Sequence, residues 1–196
     1  MATWGELAIT RRLLHLSGSL IPLLYIVNVF SWHAVRLLLA LGAAVAIVLE
    51  VIRLFVGLEW RIFERLTRPY ERSNPAGYAV AVLAAGIVVW LFDPRIAVPA
   101  ILLLTIVDPV AGVMADLDEV DSVDRLKSPW VMAATFGVAL LVALPLLPLR
   151  AALPAAAVVV AADSIKPRVF GFVIDDNASI PLGAALTSWI ILALTS

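Results

Sequence analysis

Long apolar runs recur along almost the whole chain, and they restrict its fold more than any other feature. A helix needs roughly 20 apolar residues to cross a hydrocarbon core of about 30 Å, and in lipid the backbone must satisfy its own hydrogen bonds, which leaves helices for such runs. Hydrophobic residues make up 63% of the 196, whereas soluble domains average about 45–50%. The sequence therefore predicts an all-α, polytopic membrane helix bundle that forms a single domain over residues 1–196.

Seven runs are candidate transmembrane helices, and the positive charges orient them. The runs cover approximately Leu13–Ser31, Val35–Gly57, Tyr78–Leu91, Ile96–Ala115, Trp130–Leu149, Ala151–Asp163 and Ser179–Thr195. If the N-terminus is cytoplasmic, all but three of the 14 Lys and Arg residues lie on the inner side, as the positive-inside rule requires. We therefore expect a multi-pass protein of the cell membrane with a cytoplasmic N-terminus.

The acidic residues are distributed even more unevenly than the basic ones. Of the 15 Asp and Glu residues, only Asp93 falls on the outer side. Because acidic residues hardly influence the direction of insertion, this clustering needs another reason. It indicates a functional site that faces the cytoplasm.

Several kinds of site are excluded by composition. The net charge of −1 gives no sign of nucleic-acid binding. The chain has no cysteine and two histidines, which excludes disulfides, thiolate zinc sites and histidine-rich metal sites. It also has no glycine-rich phosphate loop.

Ionisable residues inside the apolar runs are the first candidates for chemistry, since their burial in lipid is costly. Glu50 and Arg53 lie three residues apart in the second run and share a helix face; the alternative is a pair that only neutralises itself. Asp108 lies about two turns inside the fourth run and is followed by Pro109, which loosens the helix. This carboxylate needs a cation from another part of the chain or a metal ion.

Two predicted helix starts on the inner side carry further candidates. Ser128 is a predicted N-cap with Pro129 at the first helical position, and Lys127 stands beside the free N–H groups, an arrangement that suits a phosphate. Asp175, Asp176 and Asn177 precede the last run; three capping-type residues exceed what one cap needs, and they suit a metal ion or proton abstraction. A polar loop end is the alternative.

Two charged loops are less specific. Residues 116–127 (DLDEVDSVDRLK) hold carboxylates that Mg²⁺ prefers, but a solvated acidic turn explains them as well. Residues 59–72 (EWRIFERLTRPYER) have the pattern of an interfacial helix whose arginines meet anionic head groups, although Glu71 and Arg68 could face the site.

In this order, the motifs resemble the membrane-embedded polyprenol kinase family, which includes dolichol kinase, phytol kinase and the CTP-dependent diacylglycerol kinase and is related to the phosphatidate cytidylyltransferases. The motifs run through nearly the whole chain, and the closing DDNxSIPL is the most specific of them. They are Arg11-Arg12-x-x-His15 with Pro22, Glu50-x-x-Arg53, Arg68-x-x-Glu71 before Gly77-Tyr78, Asp108-Pro109-x-Ala111, Lys127-Ser128, and Asp175-Asp176-Asn177-x-x-Ile180-Pro181.

The resemblance implies transfer of the γ-phosphoryl group of a nucleoside triphosphate, CTP in the family, to the hydroxyl of an isoprenoid alcohol or related lipid. It implies Mg²⁺ held by Asp108 with Asp175 or Asp176, with Lys127 on the phosphates and Asp176 as the base. The remaining candidates for nucleotide and phosphate binding are Arg12, His15, Glu50, Arg53, Glu71, Ser128, Lys166 and Asn177. The expected partners are the lipid alcohol, the nucleotide and membrane lipids, with no nucleic acid; a homodimer stays open.

Two rival functions remain. A cytidylyltransferase that makes a CDP-lipid needs the same metal and phosphate ligands and differs in releasing pyrophosphate. A lipid or small-solute transporter would need polar groups along an outer path as well, typically between repeats, whereas the predicted outer half is nearly bare. The sequence therefore favours the kinase.

Overall fold

The computed structural model describes residues 4–57, 67, 71, 74–118, 126–165, 168–169 and 172–195. Nearly all of these residues are helical. The α-helices are α1 (Trp4–Ser17), α2 (Leu20–Ile26), α3 (Trp32–Val51), α4 (Gly77–Leu91), α5 (Pro94–Leu102), α6 (Asp108–Leu117), α7 (Pro129–Ala143), α8 (Leu149–Ser164) and α9 (Asp176–Thr195). Two π-helical segments (Ile52–Val56 and Leu103–Val107) and an antiparallel pair of two-residue strands, β1 (Arg168–Val169) and β2 (Phe172–Val173), complete the described part.

Three continuous helical stretches are long and apolar enough to cross a membrane. They are Trp32–Val56, Pro94–Leu117 and Asp176–Thr195, and α4 and α7 are shorter apolar helices. The prediction of a helical membrane protein is thus confirmed in its coarse form. The count of seven spans and the cytoplasmic N-terminus stay predictions.

The stretch Pro94–Leu117 is the central one of the three. Within its most apolar window 72% of the residues are buried in the protein, against 22% for Trp32–Val56 and 28% for Asp176–Thr195. The other two stretches therefore leave most of their residues at least partly exposed, while the central one is enclosed by other helices. This central helix carries Asp108.

Small residues let the helices approach each other closely. The shared core is rich in alanine, including Ala97 and Ala100 of α5 and Ala184 and Ala185 of α9, as expected where helices pack in lipid without a hydrophobic driving force between them. Gly183 is the tightest point: a Cβ there would lie 2.7 Å from Val158 Cγ1 of α8. The packing of α8 on α9 depends on this glycine.

Three predicted spans are not regular α-helices along their whole length. In the second, Val35–Gly57, residues Ile52–Val56 are π-helical. The predicted run Leu13–Ser31 is interrupted at Gly18 and Ser19, between α1 and α2. The predicted run Ile96–Ala115 is wound as a π-helix just before Asp108. Pro109 lacks the N–H that an α-helix would direct at the carbonyl of Thr105, and short π-helical turns are frequent at functional sites.

Several sequence predictions concern residues that the structure does not describe. Most of the loop 59–72 and residues 119–125 of the acidic loop lie outside the described residues. Lys166 also lies outside them. Glu71 belongs to the described part.

Candidate functional site

Three carboxyl groups from three different helices meet at one point. Ligand oxygens of Asp108, Asp163 and Asp176 all lie within 4.8 Å of one another. Asp108 is the first residue of α6, Asp163 stands in the last turn of α8, and Asp176 is the first residue of α9. Asp163 and Asp176 are each only 3% exposed. Oxygen ligands at this spacing suit a hard divalent cation such as Mg²⁺.

The structure groups Asp163, and not the predicted Asp175, with Asp108 and Asp176. Asp175 Oδ1 instead accepts hydrogen bonds from the backbone N–H of Asn177, at 3.0 Å, and from its Nδ2. This arrangement closes the first turn of α9 and fixes the orientation of the amide. Asn177 is 3% exposed, and within the described residues its Oδ1 has no hydrogen-bond partner, so this acceptor is available to a ligand.

Lys127 brings a positive charge to the three aspartates. Its Nζ donates to Asp163 Oδ1 at 2.6 Å, and both side chains are largely buried. The predicted N-terminus of the next helix is confirmed: Ser128 is the N-cap of α7, with extended dihedral angles, and Pro129 follows at the start of the helix. Lys127 thus stands at a helix N-terminus, as the sequence predicts.

Ser128 also lies beside the end of α6. Ser128 and Trp130 lie next to the carboxyl group of Asp118 and together hold the pKa of this group below its usual range. The indole Nε1 of Trp130 donates to Asp118 Oδ1 at 2.8 Å. These contacts join α6 to α7 on the side of the protein where Lys127 lies.

A partly enclosed pocket of about 100 Å³ is lined by Asp108, one of the three aspartates. One side of it is formed by basic residues of α1, and we call Arg11, Arg12 and His15 the basic wall. Glu71, Tyr78 and Asn177 also line it, and we call these three the acidic wall after the carboxylate of Glu71. The remaining lining residues are Ala8, Leu14, Gly77, Asp108, Pro109 and Gly112.

The basic wall is joined to α6 by an ion pair of Arg12 and by a contact of His15 with Asp108. His15 Nδ1 lies 3.4 Å from Asp108 Oδ2, and Arg12 Nη2 lies 2.7 Å from Asp116 Oδ2. Gly112 makes room for the arginine, since a Cβ there would lie 3.2 Å from Arg12 Nε. The predicted residues Arg12 and His15 therefore lie in one pocket with Asp108, although almost a hundred residues separate them in the sequence.

Glu50 and Arg53 form a bidentate pair that lies behind the acidic wall. Arg53 Nε donates to Glu50 Oε1 at 2.9 Å and Arg53 Nη2 to Glu50 Oε2 at 2.7 Å. Tyr78, whose ring lines the pocket, donates its hydroxyl hydrogen to Glu50 Oε1 at 2.6 Å. Neither Glu50 nor Arg53 lines the pocket among the residues described.

Two residues of this site are not among those predicted to act in it. Asp163 stands at the predicted end of the sixth run, and the only sequence signal is a carboxylate at the inner end of an alanine- and valine-rich helix. Tyr78 was singled out only as part of a motif, and no local pattern reveals that its hydroxyl contacts Glu50. Both roles follow from packing between helices that are far apart in the sequence.

No family model, curated protein or solved structure was found to match the chain.

Proposed function

We propose that the chain is a membrane-embedded lipid kinase. It transfers the γ-phosphoryl group of a nucleoside triphosphate, with CTP favoured by the family resemblance, to the hydroxyl of an isoprenoid alcohol or related lipid at the cytoplasmic interface. The observation that carries the proposal is the meeting of Asp108, Asp163 and Asp176 next to a pocket with one basic wall.

The donor set fits Mg²⁺. Three carboxylates from separate helices are all hard oxygen ligands, and two of them are buried, where negative charge is costly unless cations balance it. Mg²⁺ is usually bound by a few carboxylates together with substrate phosphates. An ion held by Asp108, Asp163 and Asp176 would neutralise the charge that develops on the phosphate oxygens during transfer.

The two walls of the pocket suit the two substrates. Arg11, Arg12 and His15 on the basic wall would bind phosphate oxygens, and Lys127 would contribute from the N-terminus of α7. On the acidic wall, the carboxylate of Glu71 and the Oδ1 of Asn177 are acceptors, which suit the hydrogen of an alcohol. The anionic nucleotide and the neutral lipid alcohol would thus bind in the same pocket, next to different residues.

The reaction needs one bond to form and one to break. The lipid hydroxyl oxygen bonds to the γ-phosphorus, and the bond from that phosphorus to the β–γ bridging oxygen breaks, which releases the nucleoside diphosphate. The hydroxyl proton passes to a carboxylate, for which Asp176 is our candidate. Since little covalent chemistry falls to the protein in such transfers, positioning and charge neutralisation account for most of the catalysis.

The test is transfer of label from γ-³²P-labelled CTP or ATP to geranylgeraniol, phytol, a dolichol or diacylglycerol by the purified protein in detergent with Mg²⁺. We expect label in an alcohol lipid, lost in Asp108→Asn and Asp163→Asn and kept in Asp93→Asn. Asp93 is a matched control because it caps α5 on the predicted outer side, where its Oδ1 accepts from Arg95 N at 2.9 Å. Absence of labelled lipid with every pair of substrates would refute the kinase.

The products separate the kinase from its nearest rival. A cytidylyltransferase would release pyrophosphate from CTP in the presence of phosphatidate and leave the γ-phosphate off the lipid. Transport without catalysis would leave both nucleotides intact and would show as flux of lipid or solute in proteoliposomes.

A further inference from the structure

Glu50 of α3 and Arg53 of the π-helical turn that follows it bind the segment before α4. This segment consists of Glu71 and residues 74–78, and it supplies Glu71 and Tyr78 to the acidic wall. All three guanidinium nitrogens of Arg53 donate hydrogen bonds: besides those to Glu50, Nη1 donates to the carbonyl oxygen of Glu71 at 2.9 Å and Nη2 to that of Asn74 at 2.6 Å. Glu50 Oε2 accepts from the backbone N–H of Ala76 at 2.9 Å. Arg53 thus holds the carbonyl groups of Glu71 and Asn74, and Glu50 holds the N–H of Ala76.

These contacts occupy the directions from which Arg53 would bind a phosphate. A guanidinium has five N–H donors in a fixed fork, and the fork of Arg53 is directed at one carboxylate and two backbone carbonyls. Its side chain is only 8% exposed. A phosphate could reach this group only if the bonds to the segment were broken.

Small movements of the segment would alter the pocket. Gly77 packs so tightly that a Cβ would lie 2.8 Å from Asn177 Nδ2 and 3.4 Å from Glu71 Oε1. Tyr78 reaches Glu50 with the hydroxyl of the same ring that lines the pocket. The geometry of Glu71, Tyr78 and Asn177 therefore depends on where the segment sits relative to α3.

We infer that Glu50 and Arg53 are positioning residues, which set the place of Glu71 and of residues 74–78 and through them the acidic wall, and that they do not contact the phosphates of the nucleotide. The part of this inference that concerns catalysis rests on the proposed kinase. The part that concerns the position of the segment does not.

A labelling experiment tests the position of the segment without any activity. The chain has no cysteine, so Ala76→Cys, at a residue with 0% exposure, introduces a single reactive thiol. A water-soluble maleimide should label this thiol about tenfold faster or more when Arg53→Lys is added, because lost charged hydrogen bonds favour local opening. An equal labelling rate in both proteins would overturn the inference.

Arg36→Lys is the matched control for that experiment. Arg36 lies on the same helix, its Nε donates to the carbonyl oxygen of Val89 at 2.9 Å, and its guanidinium stacks on Trp32 and Trp90. Among the described residues its hydrogen bond goes to Val89 and not to Glu71 or Asn74, so labelling should stay at the rate of the parent protein. Glu50→Gln serves as the second test variant if Arg53→Lys fails to fold, and the same acceleration is expected.

The kinetic test separates positioning from direct phosphate contact. Arg53→Lys should lower kcat about tenfold and change the nucleotide KM less than about twofold. Adding Glu71→Gln to Arg53→Lys should lower kcat little further, because the effects of coupled residues are not additive. A nucleotide KM raised tenfold at unchanged kcat would overturn the inference in favour of phosphate binding. Faster labelling without any phosphoryl transfer would refute the kinase and leave the positioning role intact.

Discussion

Replacing Lys127 by Met tests how the buried acidic group is balanced. Nζ of Lys127 lies 2.6 Å from Asp163 Oδ1, and the two side chains are 16% and 2% exposed. Met keeps the unbranched shape and removes the charge. Loss of one partner from a buried ion pair costs about 3–5 kcal/mol, and the partial exposure of Lys127 favours the lower end. A loss of about 3 kcal/mol corresponds to roughly 6–12 °C in Tm for a chain of this length.

The assay is thermal unfolding of the purified protein in detergent, with EDTA and with Mg²⁺. In Lys127→Met we expect Mg²⁺ to restore part of the lost Tm, because a cation bound only to the folded state stabilises it. The double variant Lys127→Met/Asp163→Asn should recover at least half of the lost Tm, since it also removes the Asp163 charge that Lys127 balances. Arg150→Met, at an exposed cation, is the control and should change the Tm little.

Two results would refute this reasoning. A Tm of Lys127→Met within about 1 °C of the parent protein would show that the pair contributes little, as exposed ion pairs do. A double variant less stable than the single one would show that the Asp163 carboxylate is stabilised mainly by other contacts.

Three further predictions follow from the packing and the site. Asp108→Asn should weaken Mn²⁺ binding, followed by the paramagnetic signal of the free ion, at least about tenfold, because such a change of the ligand set lowers metal affinity; unchanged binding would place the ion elsewhere. Gly183→Ala should lower the free energy of unfolding by about 1–3 kcal/mol through overpacking against Val158, with Gly86→Ala, where nothing lies within 4 Å of the added Cβ, as the control of equal chemistry; equal stability of the two variants would contradict the tight contact. Gly77→Ala should lower the rate of phosphoryl transfer while the Tm changes little, because its Cβ would lie 2.8 Å from Asn177 Nδ2. Full activity would mean that the acidic wall tolerates displacement.

Local features of the sequence were sufficient for several elements of the site. Ser128 and Pro129 predict the start of α7, and the structure confirms this start, although the Ser128 hydroxyl makes no capping hydrogen bond within the described part. A proline at the first helical position fixes φ near the helical value, and this preference is local to the sequence. The last helix begins at Asp176, three residues before the predicted start, and Pro181 falls inside it. The backbone N–H of Asn177 donates to Asp175 Oδ1, which closes the first turn of α9. The helix therefore begins well before Pro181, and this proline does not mark its start.

The helical membrane class and the place of Asp108 within an apolar helical stretch were determined by the sequence alone, because the cost of placing apolar runs in water and charges in lipid arises residue by residue. Only the tertiary structure decided that Asp163 joins Asp108 and Asp176, and that Arg53 is directed at the segment before α4. How close Asp163 lies to Asp108 depends on the packing of helices that are some fifty residues apart in the sequence. No periodicity or cap within a single helix records that distance.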